Sequence, residues 1–306
     1  MEVSLRPVAS FWGTVSLSAV QGQGGSLLCL QGKAQDARRL KGMCKAAARF
    51  AGVGEEALLL PFDPRLKGPV PTLLFPYVRL GPLTLFLRHV SPYMQYVTGR
   101  RLGFILHHLH TAPLADKERS CVRELEVRNL KKLSAYLNGS YRFRDDAQTL
   151  EALMARFTSF KLSPHAAVLR LGALTLDSIF VTDSHELKLL PLPSFRAGDR
   201  AEDLALLCAE GTLSFPALCA GIVDGYFGQV PTSFWLNFAM YSALTALTRY
   251  ARTVISYGLK SPEGQEALFK SRAVRAAFAD FKEPLPAWYL SPESLAFRQR
   301  FLREGH

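Results

Sequence analysis

Long apolar runs are scarce in this chain of 306 residues. The most membrane-like stretch, Phe234 to Leu247, is interrupted by Asn237 and followed by Arg249. It is too short to cross a bilayer and reads as a buried helix. The N-terminus carries Glu2 and Arg6 without a long apolar segment, which argues against a secretory signal. Cysteine is sparse as well. Cys29, Cys44, Cys121, Cys208 and Cys219 are odd in number, scattered and never in a C-x-x-C pair, so they read as reduced core thiols of a cytoplasmic protein. Acid is short relative to base, 26 against 37, for a net charge of +11. That excess favours acidic partners without choosing among them. The motifs G-x-S-x-G, H-E-x-x-H and G-x-x-x-x-G-K-[ST] are all missing.

What is present is the composition of a folded chain, 48% apolar and 21% charged. Thr14–Gln21 and Ser26–Gln31 are β-rich runs separated by Gly22, Gly24 and Gly25, which predicts a hairpin. Leu40, Met43, Cys44, Ala47 and Ala51 recur at helical spacing within Gln35–Phe50, and Gly52 and Gly54 supply the stop. Pro69–Val78 reads as a strand whose flanking prolines make it short or place it at an edge. Beyond Gly81-Pro82 the pattern turns helical, over Leu83–His89, Met94–His110, Arg119–Asn138 and Ala147–Phe157. A β patch at Ala167–Leu171, Ser178–Val181 and Glu186–Leu190 interrupts it. Helices resume at Ala201–Ala209, Phe215–Phe227, Ser233–Tyr257 and Gly264–Phe281, and Ser291-Pro292 caps a last one.

At the β patch the sequence becomes specific. Val168-Leu169-Arg170-Leu171-Gly172-Ala173, followed by Ser178-Ile179-Phe180-Val181, resembles the catalytic loop of the aminoglycoside phosphotransferase and choline kinase superfamily, V-L-x-H-G-D-x-x-x-x-N-I-L-V. Gly198-Asp199 with Asp203-Leu204-Ala205 is similar to that family's G-D-x-x-x-D-L-A segment. Leu102-Gly103 and Leu109-His110 match its L-G-x-x-L-x-x-L-H helix, and Gly225-Tyr226-Phe227-Gly228 onward looks like the helical subdomain of some bacterial members. The resemblance implies a two-lobed, protein-kinase-like α+β fold. A β-rich N-lobe over residues 1–80 would precede a helical C-lobe over 81–306, with the loop region at 166–193. The lobes would join near Phe75, Tyr77 and Val78.

The chemistry implied by the family is missing from this chain. Phosphoryl transfer rests on electrostatic positioning of phosphates, metal and attacking hydroxyl. The base position holds Ala173, the preceding histidine position Leu171, the metal asparagine position Ser178, and the second metal aspartate falls near Pro191. Magnesium prefers hard oxygen ligands, and the stretch Leu189-Leu190-Pro191-Leu192-Pro193 offers none from its side chains. The strand Ser26–Gln31 has no cation, Lys33 lies past its end, and the helix after it has Asp36 but no glutamate. Arg6–Gly13 lacks the glycines of a phosphate-cradling loop. Asp199 and Asp203 remain, as a helix cap and as the family acid that anchors the loop from below.

Three further features bear on function. His107 and His110 share a helical face, yet no carboxylate or thiolate at a fixed spacing accompanies them, and they read as core or helix-end residues. Asp177 and Asp183 lie near the degenerate loop and could serve an unorthodox enzyme, although turn roles suit them better. Arg38, Lys41, Lys45 and Arg49, spaced 3, 4 and 4, form a cationic stripe on the small-lobe helix with no alternating acid.

The reading is a catalytically inactive kinase-like binding or scaffold protein. It would be an accessory subunit for a protein partner, either acidic or an active kinase-like paralogue; nucleic acid is less favoured, and no membrane span is expected. No cofactor and no metal is expected. The alternatives are a small-molecule phosphotransferase with an unorthodox site and an interlobe ligand-binding protein.

Overall fold

A computed structural model describes residues 6–11, 14–22, 25–140, 166–172 and 174–305, together with 142, 153, 155, 156, 158, 159 and 162. The helix expected over Ala147–Phe157 lies largely outside the described residues, as does Ala173. The fold is mixed α+β, and the chain divides into two compact units, residues 1–90 with 171–196 and residues 91–170 with 197–306.

The first unit is built on a five-stranded antiparallel sheet in the order β1-β2-β3-β5-β4. The strands are β1 (Arg6–Phe11), β2 (Val15–Gly22), β3 (Gly25–Gln31), β4 (Asp63–Arg65) and β5 (Thr72–Pro76). The hairpin expected from the glycines is β2–β3, with Gly22 opposite Gly25 and Gly25 at φ 122°. One strand was not read from the sequence: Arg6–Phe11 pairs with β2 through a register shift between Pro7 and Ala9. β5 is short, the first of the two outcomes its prolines allow, and β4 covers its other side.

Helix α1 (Ala37–Phe50) buries Leu40, Met43, Ala46, Ala47 and Phe50. Leu40 and Met43 join Val15, Leu17, Leu28, Leu30 and Phe75 in one apolar cluster. A second small sheet sets β6 (Leu80–Pro82), β8 (Ile179–Thr182) and β9 (Leu187–Leu189) side by side, antiparallel, with α2 (Leu83–His89) following β6 directly. Phe180 and Leu190 carry this sheet into the same cluster.

The second unit contains α3 (Pro92–Leu109), α4 (Asp116–Ser120) and α5 (Leu125–Leu137), then the short β7 (Val168–Arg170), which pairs with β10 (Arg196–Gly198). After them come α6 (Arg200–Gly211), α7 (Pro216–Phe227), α8 (Thr232–Tyr257), α9 (Pro262–Ala277) and α10 (Pro292–Arg303). α3 and α7 pack through glycine. A methyl on Gly99, Gly103, Gly221 or Gly225 would run into the backbone of the opposite helix. The Ser291 hydroxyl accepts a bond from the Ser294 N–H at 3.2 Å and Pro292 opens the helix, as the sequence indicates. Among the described residues no helix is long and apolar enough to cross a membrane.

Candidate functional site

The loop that resembles a catalytic loop is put to structural use. Gly172 adopts φ 92° and backs onto Ser194, so a side chain there would be strained and would collide. Leu171 is buried. Ser178 is 2% exposed and closes a single 3₁₀ turn: its hydroxyl donates to the Thr175 carbonyl at 2.6 Å and accepts from the Thr175 N–H at 3.2 Å. Its proton and one of its two lone pairs are therefore engaged by the backbone. Pro191 is buried between Leu190 and Leu192. Asp177 is exposed, and Asp183 forms an exposed ion pair with Arg79 at 3.3 Å. Among the described residues no cluster of His, Cys, Asp or Glu could hold a metal ion.

Between β3 and α1 the first unit is apolar: Leu28 and Leu30 of β3 belong to the same core cluster as Leu40 and Met43 of α1. Asp36, the lone acid near the helix start, is 1% exposed and occupied locally. It accepts from the Thr14 hydroxyl (3.1 Å), the Lys33 N–H (3.0 Å) and the Arg39 guanidinium (3.1 Å). Its role is to close the entry to α1. The sequence indicated only that it sat in the first turn.

The cationic stripe stands partly beside a groove. Arg38, Lys41 and Lys45 are exposed and line a cavity of about 790 Å³, whose lining also includes Asp36 and, from the segment after β9, Pro193 and Phe195. Arg49, expected on the same stripe, is half-buried and takes no part in the lining. Phe75 is fully buried in the sheet core, Tyr77 is exposed and Val78 half-buried.

The acids singled out downstream form a buried network in the second unit. Asp199 accepts from the Ala201 N–H at 2.9 Å, capping α6, and from the Asn237 amide at 2.9 Å. Burial holds its carboxyl above the usual range despite those donors. Asp203 receives Arg170 Nε (3.0 Å) and Nη2 (2.7 Å) on one oxygen and His110 Nε2 (3.2 Å) on the other. Burial pushes the Asp203 carboxyl up, but the Arg170 guanidinium and His110 more than offset this and hold it low. Arg170 also donates to Glu202, which Lys132 approaches at 3.4 Å. His110 completes its needs at the Tyr226 hydroxyl, 2.8 Å from Nδ1, and burial lowers its pKa. His107 lies edge-on to the same tyrosine ring, 5.2 Å away. These two histidines are thus committed to tyrosine and aspartate. Sequence reasoning missed Arg170, because nothing in its neighbours marks it as buried.

Such an architecture belongs to the kinase-like fold. The chain superposes on a choline/ethanolamine kinase family protein from Mesorhizobium loti with a TM-score of 0.63 at 14% identity, covering 94% of this chain and 92% of that one. It matches the GDP complex of wild-type aminoglycoside 2'-phosphotransferase-IIIa with a TM-score of 0.63 at 14% identity over 89% and 92%. A microcompartment-associated aminopropanol kinase gives 0.56 at 11% identity over 92% of each chain. No family model and no curated protein sequence matches the chain.

Proposed function

We propose that this protein is a degenerate member of the aminoglycoside phosphotransferase and choline kinase superfamily. It is a binding or scaffold protein of the cytoplasm, an accessory subunit for a protein partner, and it does not transfer phosphate. The neighbours named above carry kinase and phosphotransferase names, and this chain departs from them in its side chains rather than its fold. The observation that carries the reading is the apolar cluster that Leu28 and Leu30 share with Leu40 and Met43. A buried ion pair can be exchanged for apolar groups of similar volume without loss of stability, whereas losing one partner leaves a costly unpaired charge. Both partners have gone together, which removes the means to orient a phosphate and keeps the core intact. Ser178, at the metal asparagine position, is buried and bonded in both directions to the Thr175 backbone. Its neighbour in the motif is an alanine where a base is needed.

The test is a thermal shift with ATP, with and without magnesium, alongside a phosphotransfer assay on the whole chain. A ligand at about 100 times its Kd adds about 2.7 kcal/mol to the folded state, which a melting curve reads easily. No magnesium-dependent shift and no turnover are expected. Turnover abolished by Asp177→Ala or Asp183→Ala would overturn the reading.

A further inference from the structure

We propose that the groove beside α1 docks an extended segment of the protein partner in which acidic residues alternate with apolar ones. The inference rests on the binding-protein reading and names the chemistry of the partner. One wall of the groove is cationic. Arg38, Lys41 and Lys45 are exposed on it, and none has an ion-pair partner among the described residues. Asp36, the carboxylate nearest in sequence, already receives Thr14, Lys33 and Arg39 and does not compete for them. The placement is unfavourable for an isolated helix. The first turn of α1 carries Arg38 and Arg39 and no acid, although the helix dipole favours acids at that end. An anionic partner adds attractions that offset both the mutual repulsion and the dipole interaction.

The other wall is apolar and fixed. Phe195 stands edge-on to Phe50 with ring centroids 6.4 Å apart, so its position is set by α1 itself. Pro193 lies so close to the helix that a methyl on Gly42 would sit 2.7 Å from its Cβ. A free phosphate could use the cations but would gain nothing from this wall. An extended peptide uses both, because successive side chains point to opposite sides and same-side positions repeat about every 7 Å. Along the helix, Arg38 to Lys45 spans about 10 Å at 1.5 Å per residue. Two same-side carboxylates fit that length while the intervening apolar side chains meet Pro193 and Phe195. The cavity of about 790 Å³ has room for a short segment of this kind.

The experiment is fluorescence anisotropy with a labelled peptide in which glutamate alternates with leucine and phenylalanine, against its glutamine counterpart. The full chain should bind the glutamate peptide, more weakly as salt is raised, and should bind the glutamine peptide poorly. The double variant Lys41→Glu, Lys45→Glu should lose about tenfold or more in affinity, and Phe195→Ala should lose severalfold. Melting curves establish that each variant is folded; should the double reversal fail to fold, Lys41→Gln and Lys45→Gln alone carry the same expectation. Equal binding of the two peptides, or unchanged binding by the reversed chain, overturns the proposal. So does tripolyphosphate binding at these cations with Phe195→Ala silent, which would make this a site for free phosphate. A single-stranded oligonucleotide that outcompetes the peptide would overturn it in favour of nucleic acid. The assay reads neither nucleotide binding nor turnover, so its failure leaves the inactive-kinase reading standing, and turnover of ATP leaves the groove's occupant undecided by that result.

Discussion

Arg170 and Asp203 meet with no solvent-accessible surface on either side chain, the guanidinium giving two hydrogen bonds to one carboxylate oxygen. They join the strand that opens the degenerate loop to the first helix after it. Arg170→Met should cost about 3–5 kcal/mol, because Asp203 would stay buried without its guanidinium, while Glu202 keeps Lys132 and Arg128. Asp203→Asn should cost less, since Glu202 still faces the guanidinium. Urea melts of the two variants give the comparison, and an Arg170→Met chain as stable as the parent would show that the network is dispensable.

His110 makes stability depend on pH in a defined direction. Its folded pKa lies below the ordinary 6.5 because burial disfavours the imidazolium, with Asp203 opposing only in part. Below 6.5 the unfolded chain therefore binds a proton that the folded chain refuses. This contribution is fully present above that pH and is lost as pH falls toward the folded value. Asp203, also lowered, acts in the same direction below its ordinary 3.8. Asp199, raised by burial, acts oppositely: its contribution is greatest below 3.8 and is lost as pH rises through its folded value. The melting temperature should fall between about pH 7 and pH 5, and His110→Gln should flatten that slope. A variant with the parent's slope would place the titration elsewhere.

The close approach of α3 and α7 sets a third expectation. At Gly225 an added methyl would meet the Arg100 backbone, and backbone cannot rotate away as a side chain can. Gly225→Ala should destabilise by about 1–3 kcal/mol or more, the cost of forcing atoms into a packed interior. Gly228→Ala is not an adequate control, because Gly228 has φ 66° and strains any side chain. Gly81, with open space around its Cα and no positive φ, is the better one, and Gly81→Ala should be nearly neutral. The two melting points decide the matter.

Much of the fold was legible because its elements obey local rules. Helix α2 spans the Leu83–His89 read from the pattern, and the last helix starts where Ser291-Pro292 signals it. Elements held by partners rather than by their own residues were not legible. β1 contains Pro7 and a register shift, so it has no clean alternation, yet β2 gives it a place at the sheet edge. β4 is Asp63-Pro64-Arg65, a sequence with no β-preference, ordered by pairing with β5. At the site, the helical spacing placed Arg38, Lys41 and Lys45 together but could not supply Pro193 and Phe195, which come from the segment after β9, distant in sequence. It also placed Arg49 with them, where the structure half-buries it. The glycines of Leu102-Gly103 and Gly225 were legible as a motif; only the helix packing gives the reason for them.

Ser178 carries the last expectation, because it separates a lost metal ligand from a residue with a new duty. In the loop motif that this stretch resembles, the position holds an asparagine, and a serine with no duty of its own would be free to vary. Here the hydroxyl lies in a buried turn, donating to and accepting from the Thr175 backbone, and the turn feeds directly into β8 of the small sheet. Ser178→Ala removes the acceptor of the Thr175 N–H and should cost about 1–3 kcal/mol, as expected when a buried donor is left unsatisfied. Ser178→Asn puts back the family residue and should cost at least as much, since the larger amide must fit a side chain only 2% exposed. With Ala173→Asp added, the chain should still show no magnesium-dependent shift with ATP, because Pro191 and the apolar cluster shared by β3 and α1 remain. Denaturation curves for the single variants and a thermal shift for the double variant test both halves. A stable Ser178→Asn chain that gained magnesium-dependent nucleotide binding would mean that the position had kept its old role.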